Sequence, residues 1–83
     1  MEYLNPLKVY VSVCAEFSDG RLTPLSFVWE DGKRYNVDWV LDVRPAASLK
    51  AGGLGIRYTC LVCGKQVNLY REEDLWFMER NGS

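Results

Sequence analysis

The chain has 83 residues, 48% of them hydrophobic, and its ten basic and eleven acidic residues give a formal net charge of −1. A chain this short buries only about 60 to 65% of its unfolded surface, so we expect one core and one domain, 1–83, with residues 1–6 flexible and 80–83 frayed. The near-neutral charge excludes a global attraction for nucleic acid or for an anionic membrane.

Cysteine and histidine content narrows the function classes further. The chain contains three cysteines and no histidine. Three cysteines are too few for a disulfide scaffold, so reduced thiols and a cytoplasmic location are expected. Without histidine, a Ser-His-Asp or Cys-His arrangement is impossible, and we expect neither an enzyme nor a cofactor. No apolar stretch approaches the ~20 residues that cross a bilayer.

Apolar and polar residues alternate along six segments, which is the period of half-buried strands. The first predicted strand covers residues 7–17 and ends at the turn 18–21, where Gly20 accepts a positive φ. The second begins at Pro24 and ends at Glu30. The pair Asp31-Gly32 then predicts a type I′ hairpin into a third, antiparallel strand. The residues expected on inner faces here are Val9, Val11, Val13, Ala15, Phe17, Leu25, Phe27, Trp29, Tyr35, Val37, Trp39, Leu41 and Val43.

The third predicted strand, 33–43, is long enough to bend and contribute to two sides of a barrel. Arg44-Pro45 is expected to end it, and residues 46–51 have the composition of one short helical turn before Gly52 and Gly53. A fourth strand begins at Ile56. A tight turn at 64–65 leads into a fifth strand, 66–70, and an acidic turn at 72–74 leads into the last, 75–79.

Short antiparallel strands in succession indicate an all-β fold. We predict a small five- to six-stranded barrel, SH3-like, with an OB-like barrel as the alternative.

One cysteine motif has the form of half a zinc knuckle. Cys60 and Cys63 stand in a C-x-x-C-G-K sequence, but the chain offers only Cys14 and carboxylates as further ligands. On a regular strand, residues three apart point to opposite faces, so Cys60 is expected in the core and Cys63 outside. The motif is therefore a weak metal candidate, and no metal is predicted.

A basic, glycine-rich loop is the second candidate site. Arg44, Lys50, Arg57 and Lys65 surround or flank three glycines, which let a backbone approach an anion closely. The sequence matches neither the P-loop nor the dinucleotide fingerprint. A structural interpretation is favoured, in which glycine caps a helical turn and permits a tight approach to the following strand.

Aromatic side chains form the third candidate. If Leu75 and Phe77 point inward, Trp76 and Met78 point outward. The same alternation places two tyrosines on outer faces, and the acidic turn 72–74 near Trp76 repels phosphate. A partner-binding surface is predicted from Tyr10, Tyr70, Trp76 and Met78.

Two functions from different classes remain open. The first is a non-catalytic barrel that binds an unidentified protein or peptide through these aromatic residues. The alternative is a barrel that binds single-stranded nucleic acid through Arg44, Lys50, Arg57 and Lys65. In either case the protein is expected to act away from the membrane, as a monomer or a weak homodimer.

Five stretches between about Lys8 and Glu79 carry a family resemblance. They are 24–29 (PLSFVW), 31–38 (DGKRYNVD), 46–55 (AASLKAGGLG), 57–60 (RYTC) and 76–79 (WFME). In these stretches the chain resembles small uncharacterised bacterial proteins, chiefly from Firmicutes, of a domain family of unknown function. The resemblance implies a bacterial cytoplasmic protein and supplies no catalytic residues.

Overall fold

The fold is known from a computed structural model, which describes residues 7–47 and 54–80. Within these ranges the chain forms seven strands. They are β1 (Lys8–Ser18), β2 (Arg21–Val28), β3 (Arg34–Asn36), β4 (Trp39–Ala47), β5 (Leu54–Val62), β6 (Lys65–Glu72) and β7 (Leu75–Glu79).

All seven strands belong to one antiparallel sheet with the order β3-β2-β1-β7-β6-β5-β4. Each strand pairs with its neighbour in the chain except across the β3–β4 link, and the first strand pairs with the last through Lys8–Val11 and Trp76–Glu79. The all-β prediction is confirmed. The number of strands differs, because five or six were expected and seven are present.

The additional strand arises from a bend in the predicted third strand. At residues 37–38 the chain leaves one side of the sheet and joins the other: the Val37 amide donates to the Leu25 carbonyl, and the Asp38 amide donates to the Leu61 carbonyl, both at 2.8 Å. The expectation that this strand contributes to two sides is confirmed. The two outer strands of the sheet, β3 and β4, are thereby consecutive, and the sheet curls into a half-barrel.

The turns differ in part from the predictions. Asp19-Gly20 and Cys63-Gly64 have positive φ at both positions, as type I′ hairpins require. The predicted type I′ turn at 31–32 is wrong: the Gly32 amide donates to the Trp29 carbonyl and the Trp29 amide to the Lys33 carbonyl, so the loop has three residues and only Gly32 has positive φ. The second tight turn lies at 63–64 rather than 64–65.

Two predicted strand boundaries are also wrong. Pro24 lies inside β2, which already begins at Arg21, and β4 continues past Pro45 to Ala47. Because Ala46 and Ala47 pair with Gly55 and Leu54, they are not helical. The remainder of the predicted helical turn, 48–51, lies outside the described residues.

The core lies on the concave face of the sheet. Its buried members are Phe27, Tyr58, Cys60, Val62, Leu69 and Met78, with Trp76 among the partly buried side chains that pack against them. The predicted orientation of β7 is therefore reversed. Trp76 and Met78 face the core, whereas Leu75 is exposed and Phe77 lies on the convex face.

A second, smaller cluster covers part of the convex face. The rings of Tyr70 and Phe77 are both buried and stack with centroids 5.0 Å apart, and Tyr10 meets Phe77 edge-on at 6.1 Å. The Lys8 ammonium lies 4.4 Å from the Phe77 ring centroid and 3.1 Å from a Glu72 carboxylate oxygen. Burial pulls the pKa of Lys8 down, but hydrogen bonds to Tyr10 and Glu72 outweigh it and raise the pKa.

Candidate functional site

A cleft of about 690 Å³ separates two strand edges of the half-barrel. On one side stand residues 21–23 of β2, which pair with β1; β3 pairs only with the later residues 26–28. On the other side stand residues 40–43 of β4, which pair only with β5 among the described strands. We call this gap the seam cleft.

The hairpin geometry fixes which backbone groups face the seam cleft. In a two-residue hairpin the pair next to the turn exchanges hydrogen bonds, and the following pair does not. Ser18 and Arg21 form the first pair of the β1–β2 hairpin, so the N–H and C=O of Leu22 point away from β1. The same alternation can be counted from the 63–64 turn along β5 and across to β4. It shows that the N–H and C=O of Val43 point away from β5.

Two prolines limit these free edges. Pro24 and Pro45 occupy the next outward-facing positions after Leu22 and Val43, where an amide donor is absent. Leu22 and Val43 therefore supply the outward N–H donors at the centre of the seam cleft. Proline at an edge commonly prevents unwanted strand pairing, so these residues confine any pairing to a short stretch.

Apolar side chains are exposed around the seam cleft. Leu41 and Val43, which line it, are 54% and 51% exposed, and the neighbouring Trp39 is 69% exposed. Leu41 interrupts the pairing register between Val40 and Asp42, so it is a bulge residue and the alternation shifts there. The alternation has already shifted at the bend at residues 37–38, since Val37 and Val40 both pack against the core, and Trp39 and Leu41 therefore do not face the core as the sequence pattern predicts.

Arg71 on β6 gives the seam cleft a positive charge. Its Nη1 donates to the Glu73 carbonyl at 3.2 Å, while its buried Nε has no hydrogen-bond partner. The carboxylate of Asp42, another residue that lines the cleft, accepts a hydrogen bond from Arg44 Nε at 2.6 Å, and this bond lowers the pKa of Asp42. Within the described ranges, Arg71 forms no salt bridge.

Gly55 allows the Arg71 backbone to approach closely. A Cβ at position 55 would meet the Arg71 carbonyl oxygen at a distance that side chains do not tolerate, and the carbonyl carbon lies 3.1 Å away. The glycine thus permits a close approach between neighbouring strands. The glycines at 52 and 53, on which the structural interpretation of the loop also depends, lie outside the described residues.

A second opening, of about 410 Å³, lies at the other end of the half-barrel. We call it the aromatic groove; its lining includes Phe27, Trp29, Tyr35, Val67 and Met78. The Phe27 and Tyr35 rings stack with centroids 5.7 Å apart. The Tyr35 hydroxyl donates to Asp31 at 3.0 Å, which raises the pKa of Tyr35. This opening presents side chains, since β2 is paired with β3 beside it.

The predicted partner-binding residues do not form one surface. Tyr10 is exposed on the convex face, where Tyr70 is also placed but buried. Trp76 packs against the core, with its ring centroid 5.2 Å from that of Tyr58. Met78 is buried and lines the aromatic groove. The prediction that Trp76 and Met78 are solvent-facing is therefore wrong, because both belong to the concave face.

The predicted anion-binding residues are only partly brought together. Arg44 and Arg57 are directly opposite each other on β4 and β5. Lys65 pairs with Val62, five residues along β5 from Arg57, which is about 17 Å at the usual strand rise. Lys50 lies outside the described residues.

The two cysteines of the C-x-x-C motif point to different environments, as the sequence predicts. Cys60 is buried in the core, where desolvation raises the pKa of its thiol to about 11, and Cys63 is exposed at the turn. In the described parts of the chain, no three metal-ligating side chains come together.

Sequence reasoning missed Leu22, Val43 and Arg71. The only sequence signal near them is the pair of prolines, which favour strand edges. The described residues include no helix that could cross a membrane. Comparison with known proteins gives no match: neither a family profile, nor a curated protein, nor a solved structure is similar to this chain.

Proposed function

We propose that the protein is a non-catalytic interaction module that binds an extended peptide segment of another protein as an additional strand in the seam cleft. The observation that carries the proposal is the pair of free strand edges, with outward backbone groups at Leu22 and Val43, facing each other across one cleft. Strand addition uses such edges: main-chain hydrogen bonds supply affinity and side-chain contacts supply specificity.

The size of the seam cleft fits a short strand. A strand residue in a packed sheet occupies roughly 160 Å³, from a rise of about 3.3 Å, a strand spacing of about 4.8 Å and a sheet spacing of about 10 Å. The volume of about 690 Å³ therefore accommodates about four residues. This length agrees with the short stretch that Pro24 and Pro45 leave open.

The exposed apolar side chains also favour a partner. Leu41 and Val43 are exposed in the lining of the seam cleft, and large exposed apolar patches on small proteins commonly mark binding sites. An added strand would bury these two side chains and pair the free amides in the same step. Both contributions are needed, because a four-residue strand makes few main-chain hydrogen bonds.

The strand order supports the SH3-like topology over the OB-like alternative. Consecutive strands are neighbours and the first strand joins the last, whereas an OB fold contains a Greek-key connection. We therefore propose a meander-type, SH3-like half-barrel whose seam is completed by the partner, in the cytoplasm of a bacterium.

The test is selection of binders from a displayed library of random octapeptides, followed by titration of a selected synthetic peptide into ¹⁵N-labelled protein. The protein variant is Val43→Pro, which removes the outward amide donor of β4 and leaves the pairing with β5. We expect this variant to weaken peptide binding about tenfold, since a lost main-chain hydrogen bond and the distorted edge together remove one to two kcal/mol, roughly.

The matched control is Trp29→Ala in the aromatic groove, which should leave binding within about twofold. If Trp29→Ala abolishes binding and Val43→Pro does not, the aromatic groove is the site and the strand-addition proposal is wrong. If no peptide is selected, the proposed function is wrong altogether.

Nucleic-acid binding is the alternative, and the facing Arg44–Arg57 pair is the observation in its favour. Its charge is partly offset by Asp42 beside Arg44. Fluorescence anisotropy with a mixed-sequence single-stranded oligonucleotide tests it. Binding that falls steeply with salt and is lost in Arg57→Ala would replace the peptide proposal.

A further inference from the structure

The floor of the seam cleft contains a polar group that the fold leaves without a partner. Arg71 follows Tyr70 on β6 and stands opposite Ile56 and Trp76, so its side chain lies on the concave face among partly buried apolar residues. Its Nε–H group is buried and donates no hydrogen bond to any of the described residues. A buried donor without an acceptor is costly, and a ligand that supplies an acceptor would remove that cost.

The neighbouring acidic groups do not neutralise Arg71. Asp42 is the acidic residue that lines the seam cleft, and its carboxylate is bonded to Arg44. Glu72 is bonded to Lys8 on the convex face, and Glu73 offers Arg71 only its backbone carbonyl. A second cation, Arg21, lines the same cleft. The field inside the cleft is therefore positive, although the whole chain has a net charge of −1.

We propose that the strand received by the seam cleft carries an aspartate or glutamate whose carboxylate binds the Arg71 guanidinium. This inference rests on the proposed function and specifies its partner. Arg71 contributes to the lining of the cleft, and a guanidinium suits a carboxylate, since both groups are planar and form paired hydrogen bonds. The positive floor also discriminates against basic peptides, because an unpaired like charge in a partly desolvated site is unfavourable.

The close approach at Gly55 makes Arg71 a pre-positioned receptor. The Arg71 backbone lies close to Gly55, and its Nη1 is bonded to the Glu73 carbonyl, so the side chain is restrained before the partner arrives. Preorganisation reduces the entropy lost on binding.

The experiment is a double-mutant cycle with the peptide selected for the seam cleft. Its acidic residue is replaced by the amide (Glu→Gln or Asp→Asn), and the protein is changed by Arg71→Gln. On the wild-type protein we expect the amide peptide to bind at least tenfold more weakly, and on Arg71→Gln we expect both peptides to bind equally. Lys65→Gln, at the aromatic groove, is the matched control, at which the acid preference should persist.

The outcomes separate this inference from the proposed function. If selected peptides bind in the seam cleft but contain no acidic residue, or if the preference survives Arg71→Gln, the inference is wrong and strand addition stands. If no peptide binds there at all, the proposed function fails. Thermal unfolding of Arg71→Gln shows whether a loss of binding reflects an unfolded protein, and Arg71→Lys, which keeps the charge, should retain part of the acid preference.

Discussion

The seam cleft and the aromatic groove both open from the concave face, but they offer different chemistry. Beside the aromatic groove, β2 is paired with β3, so its backbone is satisfied and only side chains face solvent. Beside the seam cleft, β2 and β4 have separated and both edges carry outward backbone groups. The difference shows the effect of the bend at residues 37–38. Before the bend the chain pairs with β2, and after it the chain pairs with β5 and leaves the edge of β2 at the seam cleft unpaired among the described strands.

The largest expected effect comes from Gly55→Ala, which acts on the seam cleft side alone. The new Cβ would press on a main-chain carbonyl that cannot move independently, and we expect a loss of about 2 to 3 kcal/mol in the free energy of unfolding. Urea denaturation measures it. Amide shifts should change around Arg71 and not around Trp29 in the aromatic groove.

Gly32→Ala is the control for this variant. Gly32 has a φ of +83° and open space around a would-be Cβ, so only the conformational preference is lost, about 1 kcal/mol. Equal losses in the free energy of unfolding for the two variants would show that contact between Gly55 and Arg71 does not constrain the fold.

The next largest expected effect is a dependence of folding stability on pH, which arises from Cys60 in the core. The pKa of the buried Cys60 thiol is about 11, above its ordinary value of 9.0, so the folded protein holds this proton more tightly than the unfolded chain. The resulting stability is complete below pH 9 and is lost as the pH rises towards 11. We expect the free energy of unfolding to fall by about 2 kcal/mol by about pH 10.5.

Urea denaturation across this range, with Cys60→Val as control, measures the effect. The variant should lack this part of the alkaline slope, because it has no thiol to titrate. A variant with the same slope as the wild type would mean that other groups, and not Cys60, determine the alkaline stability. Cys63, exposed at the rim of the aromatic groove, should be alkylated readily in the native protein while Cys60 is protected.

The sequence predicts much of the sheet but not the face that each strand presents. The turn at Asp19-Gly20 and the contribution of the bent strand to two sides of the sheet are both predicted, and both predictions are confirmed. In β7, however, Trp76, Phe77 and Met78 are all apolar, so a period of two cannot decide which of them faces the core. Pairing with β1 and β6 decides it, and that is a long-range property.

The candidate site could not be predicted from the sequence, for a related reason. Whether Leu22 or Val43 has a free backbone edge depends on which strand stands beside it, and nothing in the residue type reports this. Residues 46–47 show the same effect, because their helix-forming composition is overridden by pairing with β5. Nothing in the sequence distinguishes Arg71 from a surface arginine, because its position on the concave face depends on the pairing of β6 with β5 and β7.

The most direct test of the free edges is amide hydrogen exchange of the unliganded protein, followed residue by residue by NMR. The amides of Leu22 and Val43 should exchange rapidly, while those of Thr23 and Arg44, whose groups face a paired strand, should be protected at least a hundredfold more strongly, which is roughly 3 kcal/mol of local opening. Protection of Leu22 and Val43 equal to that of their neighbours would show that the seam is closed, and would contradict the account.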